Sequence, residues 1–307
     1  MPVLDSPQIA TSAQPFDFDP DVFRAKFNKE RFTFTHHLAD NPLFQLPRLL
    51  ELAKTTETQR RKDLYFDMGD VEIGQRWDQV PASNLTVEES IHRIQNCNAW
   101  VILRHANKDP EYSALLNACT SQLLELTKRE LEKSLKWKEV ILFITSPNRT
   151  SSYHIDRECN FLCQIRGSKM IHLFDQHDQE VLPEAEKERF WSVDNNAALY
   201  KPQFQDRAFS FQMLPGNGVH IPINAPHWLK NGDDISISLS INFAFQDSDR
   251  QHIYRANYLL RKLGMHPTPP FQSPEKDAMK RKFVGSAMSL AKAIPGPVQK
   301  AFRKVVG

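Results

Sequence analysis

Hydrophobic and polar positions change their period twice along this chain. Up to about residue 138 the pattern is mixed. Thr86-Val-Glu-Glu89 has the spacing of a capping box, with Ile91 and Ile94 following on one face, and Trp100-Val-Ile-Leu103 is a short apolar run of strand character. Leu116, Cys119, Leu123 and Leu126 recur at helical spacing among charges and predict a long helix over about 111–137. Between 139 and about 246 the repeat shortens to two. Residues 140–144 read as a buried strand, 161–174 as two strands around a tight turn, 209–214 as another, and 235–245 as a strand of strict alternation. After about 250 the helical period returns: Met279, Phe283, Ala287 and Leu290 share a stripe that Pro295-Gly-Pro297 ends.

This succession predicts a mainly β fold with flanking helices. Short strands punctuated by Pro215-Gly-Asn217 and Asn231-Gly232 suit a sandwich or jelly-roll barrel better than a parallel sheet with crossover helices. Four segments follow: a loose, proline-rich arm over 1–20, a mixed helical and strand region over 21–138 packing on the core, the β core over 139–250, and a helical basic segment over 251–307.

Composition is that of an ordinary globular protein, with 40% hydrophobic and 25% charged residues. No apolar run reaches the roughly 18 residues of a transmembrane segment, and the first 30 residues lack a signal-peptide pattern, so a cytoplasmic location is expected. Cys97, Cys119, Cys159 and Cys163 form no C-x-x-C pair and read as free thiols. The net charge of +2 conceals an asymmetry: from Lys276 onward eight basic side chains face only Asp277. Such an end suits an acidic partner, nucleic acid or anionic lipid, or else a solvated helical tail.

The chemistry concentrates in His154-Ile-Asp156 and in Pro226-His227-Trp228. Two imidazoles and a carboxylate, the first pair two apart on a strand and so on one face, form the ligand set that holds non-haem Fe(II) and leaves positions open. By the same parity Asn160 and Leu162 join that face. Gly167-Ser168 reads as a two-residue hairpin turn, setting Gln164 opposite Ile171 and Arg166 opposite Lys169, and bringing Lys169, Ile171 and Leu173 to the triad's side. A lysine inside a barrel requires an anion, because burying an unpaired ammonium is strongly disfavoured. Ser236, Ser238, Ser240 and Asn242 form a polar face opposite Ile235, Ile237, Leu239, Ile241 and Phe243, which marks either a solvent face or a polar cavity. Glu158 is the alternative acidic ligand. His220 reads as a surface or supporting residue, and His36, His37, His172 and His177 as surface histidines.

His154-x-Asp156, Asn160, Lys169 fifteen residues past the first ligand, His227, and Asn242 fifteen past the last together resemble the cupin-like JmjC oxygenases, especially their protein hydroxylases. The stretches Asn160-Phe-Leu-Cys-Gln-Ile-Arg-Gly-Ser-Lys169 and Ile221-Pro-x-x-x-Pro-His227-Trp are similar to that family's central strands, and the likeness covers about 140–246. The resemblance implies a double-stranded β-helix in which His154, Asp156 and His227 hold Fe(II). It assigns Lys169, with help from Ser151, to the distal carboxylate of 2-oxoglutarate, and Asn160 and Asn242 to polar positions beside metal and co-substrate. No tyrosine of the N-terminal half aligns with a co-substrate position, and no arginine follows His227 at the spacing of some sister families, so Lys169 is the anion anchor. The implied activity is hydroxylation of a protein or peptide side chain, with dioxygen consumed and succinate and CO2 released. Alternatives are a small-molecule or natural-product hydroxylase, a methyl-lysine demethylase, and a non-enzymatic cupin-fold metal or ligand sensor. In the resembling oxygenases C-terminal helices often support a homodimer, and the Met279, Phe283, Leu290 stripe suits that role or an intramolecular cap.

Overall fold

The computed structural model describes residues 14–80, 83–128, 130–245 and 249–293. In chain order these form β1 (Phe16–Asp17), α1 (Pro20–Lys26), β2 (Phe32–His36), α2 (Leu46–Arg60), β3 (Leu64–Met68), α3 (Val87–His92), β4 (Ala99–Leu103), α4 (Pro110–Leu126) and α5 (Glu130–Ser134). There follow β5 (Leu135–Thr145), β6 (Thr150–His154), β7 (Cys159–Arg166), β8 (Lys169–Leu173), α6 (Glu184–Ser192), β9 (Phe209–Met213), β10 (Asn217–Ile221), β11 (His227–Asn231), β12 (Ser236–Phe245), α7 (Asp249–Lys262) and α8 (Pro274–Ala293). Most of the N-terminal arm, Pro295-Gly-Pro297 and the basic residues Lys300, Arg303 and Lys304 lie outside the described residues, as do the side chains of Ala287, Leu290 and Lys292.

Two antiparallel sheets make the jelly-roll core: eight strands in the order β1-β2-β10-β7-β12-β5-β4-β3, and four in the order β6-β11-β8-β9. Period-two alternation divides the residues of the larger sheet between two environments. Val140, Leu142 and Ile144 of β5, Ile237, Leu239 and Ile241 of β12, and Cys159, Phe161 and Cys163 of β7 join the main core with Leu49 and Leu52 of α2 and Leu116, Cys119 and Leu123 of α4. The opposite faces of these strands turn toward the smaller sheet, where Leu162, Ile171, Leu173, Val219 and Leu229 form a second core. All four cysteines are buried free thiols.

Three local expectations are corrected. The helix expected over 111–137 stops at Leu126; Lys128 takes a left-handed φ of 49°, and from Leu135 the chain is strand. Leu135 and Trp137 satisfy both periods, and pairing of Trp137 with Ala244 on β12 decides between them. Gly167-Ser168 is not a hairpin turn: β7 pairs with β10 and β12, β8 with β9 and β11, so the dipeptide carries the chain from one sheet to the other. Gly167 has φ +68°, and a Cβ there would sit 2.4 Å from the carbonyl oxygen of Ile235, so only glycine fits this corner. The capping stripe of α8 is also reassigned, since Met279 and Phe283 are 70% and 52% exposed while the helix buries Asp277, Lys280 and Val284.

One ion pair ties the mixed N-terminal region to the strand that carries the first histidine. Arg149, just before β6, is fully buried; its guanidinium donates to Asp67 of β3 at 2.5 Å and to the Asn98 carbonyl at 3.0 Å. Tyr65 donates to the other oxygen of Asp67 at 2.9 Å. Arg149→Met strands a buried carboxylate and is expected to destabilise the fold by about 3–5 kcal/mol, with Asp67→Leu in the same chain recovering most of the loss. Chemical denaturation of both variants measures this, and equal stabilities for wild type and Arg149→Met would contradict it.

Candidate metal centre

β6 and β11 are neighbours in the smaller sheet, and their register places His227 opposite His154. The two imidazole centroids lie 4.2 Å apart, and His227 Nε2 is 3.7 Å from a carboxylate oxygen of Asp156. One ligand atom from each of His154, Asp156 and His227 lies within 4.8 Å of the others, a spacing that can hold a metal ion. The donor set fits as well as the distances. His154 Nδ1 is bonded to the Ser152 carbonyl at 2.6 Å and His227 Nδ1 to the Ala225 carbonyl at 2.9 Å, each across two residues of its own strand. Those bonds protonate Nδ1 and leave Nε2 as the lone-pair donor facing the cavity. Burial, and then the neighbouring His154, push the His227 imidazole down to about 4, against partial compensation from Asp156. The ring is neutral at ordinary pH.

The three donors open on a cavity of about 540 Å³ between the sheets. Lys169, Ser151, Asn160 and Asn242 line it with the triad, so the seven residues that the family resemblance assigned to metal and co-substrate reach one space. Asn160 Nδ2 approaches Asp156 at 3.4 Å, and Ser240 donates to Asn242 Oδ1 at 2.7 Å. Ser236 and Ser238 lie deeper and bond Gln164, at 3.0 Å and 2.8 Å, which makes the polar face of β12 an interior face rather than a solvent one. Lys169 is 6% exposed and has no acidic partner within ion-pair distance among the described residues. Burial pushes its ammonium down to about 7.

Among the other histidines, His220 takes the supporting one of its two expected places, while His36 and His172 leave the surface expected of them. His220 is fully buried behind the site, with Nδ1 donating to the Asn160 carbonyl at 3.0 Å and Nε2 accepting the Asn28 amide at 2.9 Å. His36 is buried too, and burial pushes it down to about 4. His172 is half-buried and stacks on Trp228 at 4.0 Å. Glu158 lines the cavity outside the close trio; burial, with Asp156 and Glu139 nearby, pushes its carboxyl up to about 7.

The remaining wall comes from residues that the sequence reading passed over. Trp100 on β4 stacks on Phe143 of β5 at 6.2 Å and meets Tyr65 of β3 edge-on at 6.3 Å. Tyr65 is the N-terminal tyrosine that reaches the cavity, with its hydroxyl given to Asp67. Glu139, Arg104 and Lys62 complete that side. Alternation within β4 and β5 was the available signal, but which face looked inward depended on their pairing with each other.

Comparison with known proteins agrees with this architecture. Residues 29–251 match the model of the cupin-like domain family. The chain belongs to that family. Among solved structures, Escherichia coli YcfD superposes with a TM-score of 0.51 at 14% identity, over 89% of this chain and 69% of that one. A second structure, YcfD described as a ribosomal oxygenase in complex with cobalt and 2-oxoglutarate, is 12% identical over 89% and 67% of the two chains, with a TM-score of 0.45. No curated protein sequence matches the chain. Likeness to the first of these, at such an identity, speaks for the shared fold. Among the described residues no helix is long and apolar enough to cross a membrane.

Proposed function

We propose that this cupin-like protein is an Fe(II)- and 2-oxoglutarate-dependent oxygenase that hydroxylates a side chain of a protein or peptide. One observation carries the reading: the His154, Asp156 and His227 donors converge within 4.8 Å on a cavity whose wall also holds the buried ammonium of Lys169. A site built only to bind a metal has no need of that ammonium, and a dicarboxylate gives it a counter-charge.

Bound there, the metal and 2-oxoglutarate would supply oxidative decarboxylation, one atom of dioxygen entering succinate as CO2 leaves and the other entering the substrate C–H bond. The chain's own residues do the positioning. The two imidazoles and Asp156 would hold the ion as three protein ligands, a number that leaves room for co-substrate and dioxygen. Lys169 would orient the distal carboxylate with Ser151 as a second donor, and Asn160 steadies Asp156. The apolar residues of the smaller sheet, Ile171 and Leu229, limit water around the reacting atoms. Trp100, Phe143 and Tyr65 form the wall against which a substrate side chain lies.

Adding Fe(II) and then 2-oxoglutarate to the protein under anaerobic conditions tests the proposal. A weak visible charge-transfer band of the chelate is expected, followed in air by oxygen-dependent succinate formation. Absence of both the band and succinate overturns it.

A further inference from the structure

We infer that Glu139 receives a cationic nitrogen of the substrate, so that the side chain oxidised is of the lysine or arginine type. The inference rests on the oxygenase reading for its reaction, but on Glu139 itself for its chemistry.

Glu139 lies on β5 among residues that alternate toward the cavity, with Ile141 and Phe143 continuing the same face. It is only 8% exposed, and its Oε2 is a buried acceptor without a hydrogen bond. Its ion-pair neighbour among the described residues is the half-exposed imidazole of His105, whose Nε2 stands 3.5 Å away without hydrogen-bond geometry and whose Nδ1 stands 3.5 Å from Asp63. A carboxylate held out of water with its donor position unfilled costs stability unless something fills that position in the working state.

Register fixes where this carboxylate stands relative to the reaction. Glu139 pairs with Asn242, Asn242 pairs with Asn160, and Asn160 reaches Asp156 at 3.4 Å. Two strand spacings, roughly 10 Å, therefore separate the Glu139 backbone from that of Asn160. A long side chain entering along the Trp100 and Phe143 wall would set its aliphatic carbons near the metal donors and its terminal nitrogen at Glu139. Lys169 lines the cavity from the smaller sheet, while Glu139 and Glu158 line it from β5 and from the turn before β7, where Arg157 gives its guanidinium to the Phe190 carbonyl and to Asn195. Lys62 and Arg104 also line the cavity, but both are exposed at its rim, where water and salt screen them.

Degenerate peptide pools, identical except for a fixed central residue, test the assignment. The centres are arginine and lysine against their uncharged counterparts citrulline and norleucine, and glutamate. Two readouts are taken: succinate formation by the Fe(II)-loaded protein, and fluorescence anisotropy of labelled pools on the metal-free protein. The cationic pools are expected to exceed the uncharged ones on the order of tenfold in both. Glu139→Gln is expected to bring the ratio to about one, and Glu139→Asp, which keeps the charge, to retain the preference at lower affinity. Equal response to charged and uncharged centres, response to no pool, or an unchanged preference in Glu139→Gln overturns the inference while leaving chelate formation and uncoupled succinate release intact. Loss of the chelate and of all 2-oxoglutarate turnover would instead strike the oxygenase reading, and the anisotropy measurement would still decide the role of Glu139.

Discussion

Lys169→Met is expected to melt at a higher temperature than the wild type while losing its hold on 2-oxoglutarate. The reason lies in one ammonium buried on β8 with no acidic partner among the described residues. Burial pushes it from 10.5 down to about 7, so the folded protein resists the proton that the unfolded chain carries. A group depressed in this way withholds stability wherever it must be charged. The penalty is full below about pH 7 and disappears as pH rises through the unfolded value. Replacement by an uncharged side chain of similar length should therefore stabilise the metal-free protein by about 2–4 kcal/mol near pH 6.5, and by progressively less toward pH 10. Removing the counter-charge of a bound dicarboxylate acts in the opposite sense, weakening it on the order of a hundredfold or more. In the wild type, 2-oxoglutarate affinity should fall as pH rises above about 7, where Lys169 loses its proton, and the variant should lack this dependence. Denaturant melts at two pH values and co-substrate titrations check both halves. A destabilised metal-free variant, or affinity within threefold of wild type, would contradict the assignment.

How far the sequence disclosed this site follows from which properties are local. Alternation along a strand is local, and it brought Asn160, Lys169 and the polar residues of β12 to the inner face. Lys169 reached that face although the hairpin used to place it does not exist: β7 and β8 belong to different sheets, and the inward parity of β8 holds by itself, with Lys169, Ile171 and Leu173 all buried. Partnership between strands is not local. Nothing near Trp100 or Glu139 reveals that β4 pairs with β5, or that β5 pairs with β12, so their inward faces stayed hidden. The same limit explains the helix drawn through Leu135 and Trp137, where two periods fit equally and a strand a hundred residues away settles the matter. Burial of His36 and His220 is likewise set by distant elements, for His220 by an amide at Asn28.

His227→Ala should lower divalent metal affinity by on the order of a thousandfold and abolish the chelate band, because losing a ligand exceeds the 10–100-fold cost of losing a partner behind one. His227 is 3% exposed and enters the site from a strand fixed on both sides by β6 and β8, and among the described residues no fourth donor joins the close cluster. Substitution at Asp156, about a third exposed, should act as strongly on the metal, since it supplies the negative charge of the trio. Glu158→Gln separates this trio from the rival acid. Glu158 lines the same cavity outside the close cluster, and metal affinity within a few-fold of wild type is expected. Calorimetric titration of Co(II) or Mn(II) into the metal-free variants gives the comparison, with circular dichroism confirming that each remains folded. Were Glu158→Gln to lose the ion and Asp156→Ala to keep it, the carboxylate would be reassigned. Were His227→Ala to keep it, the centre would lie elsewhere and the proposed chemistry would lose its metal.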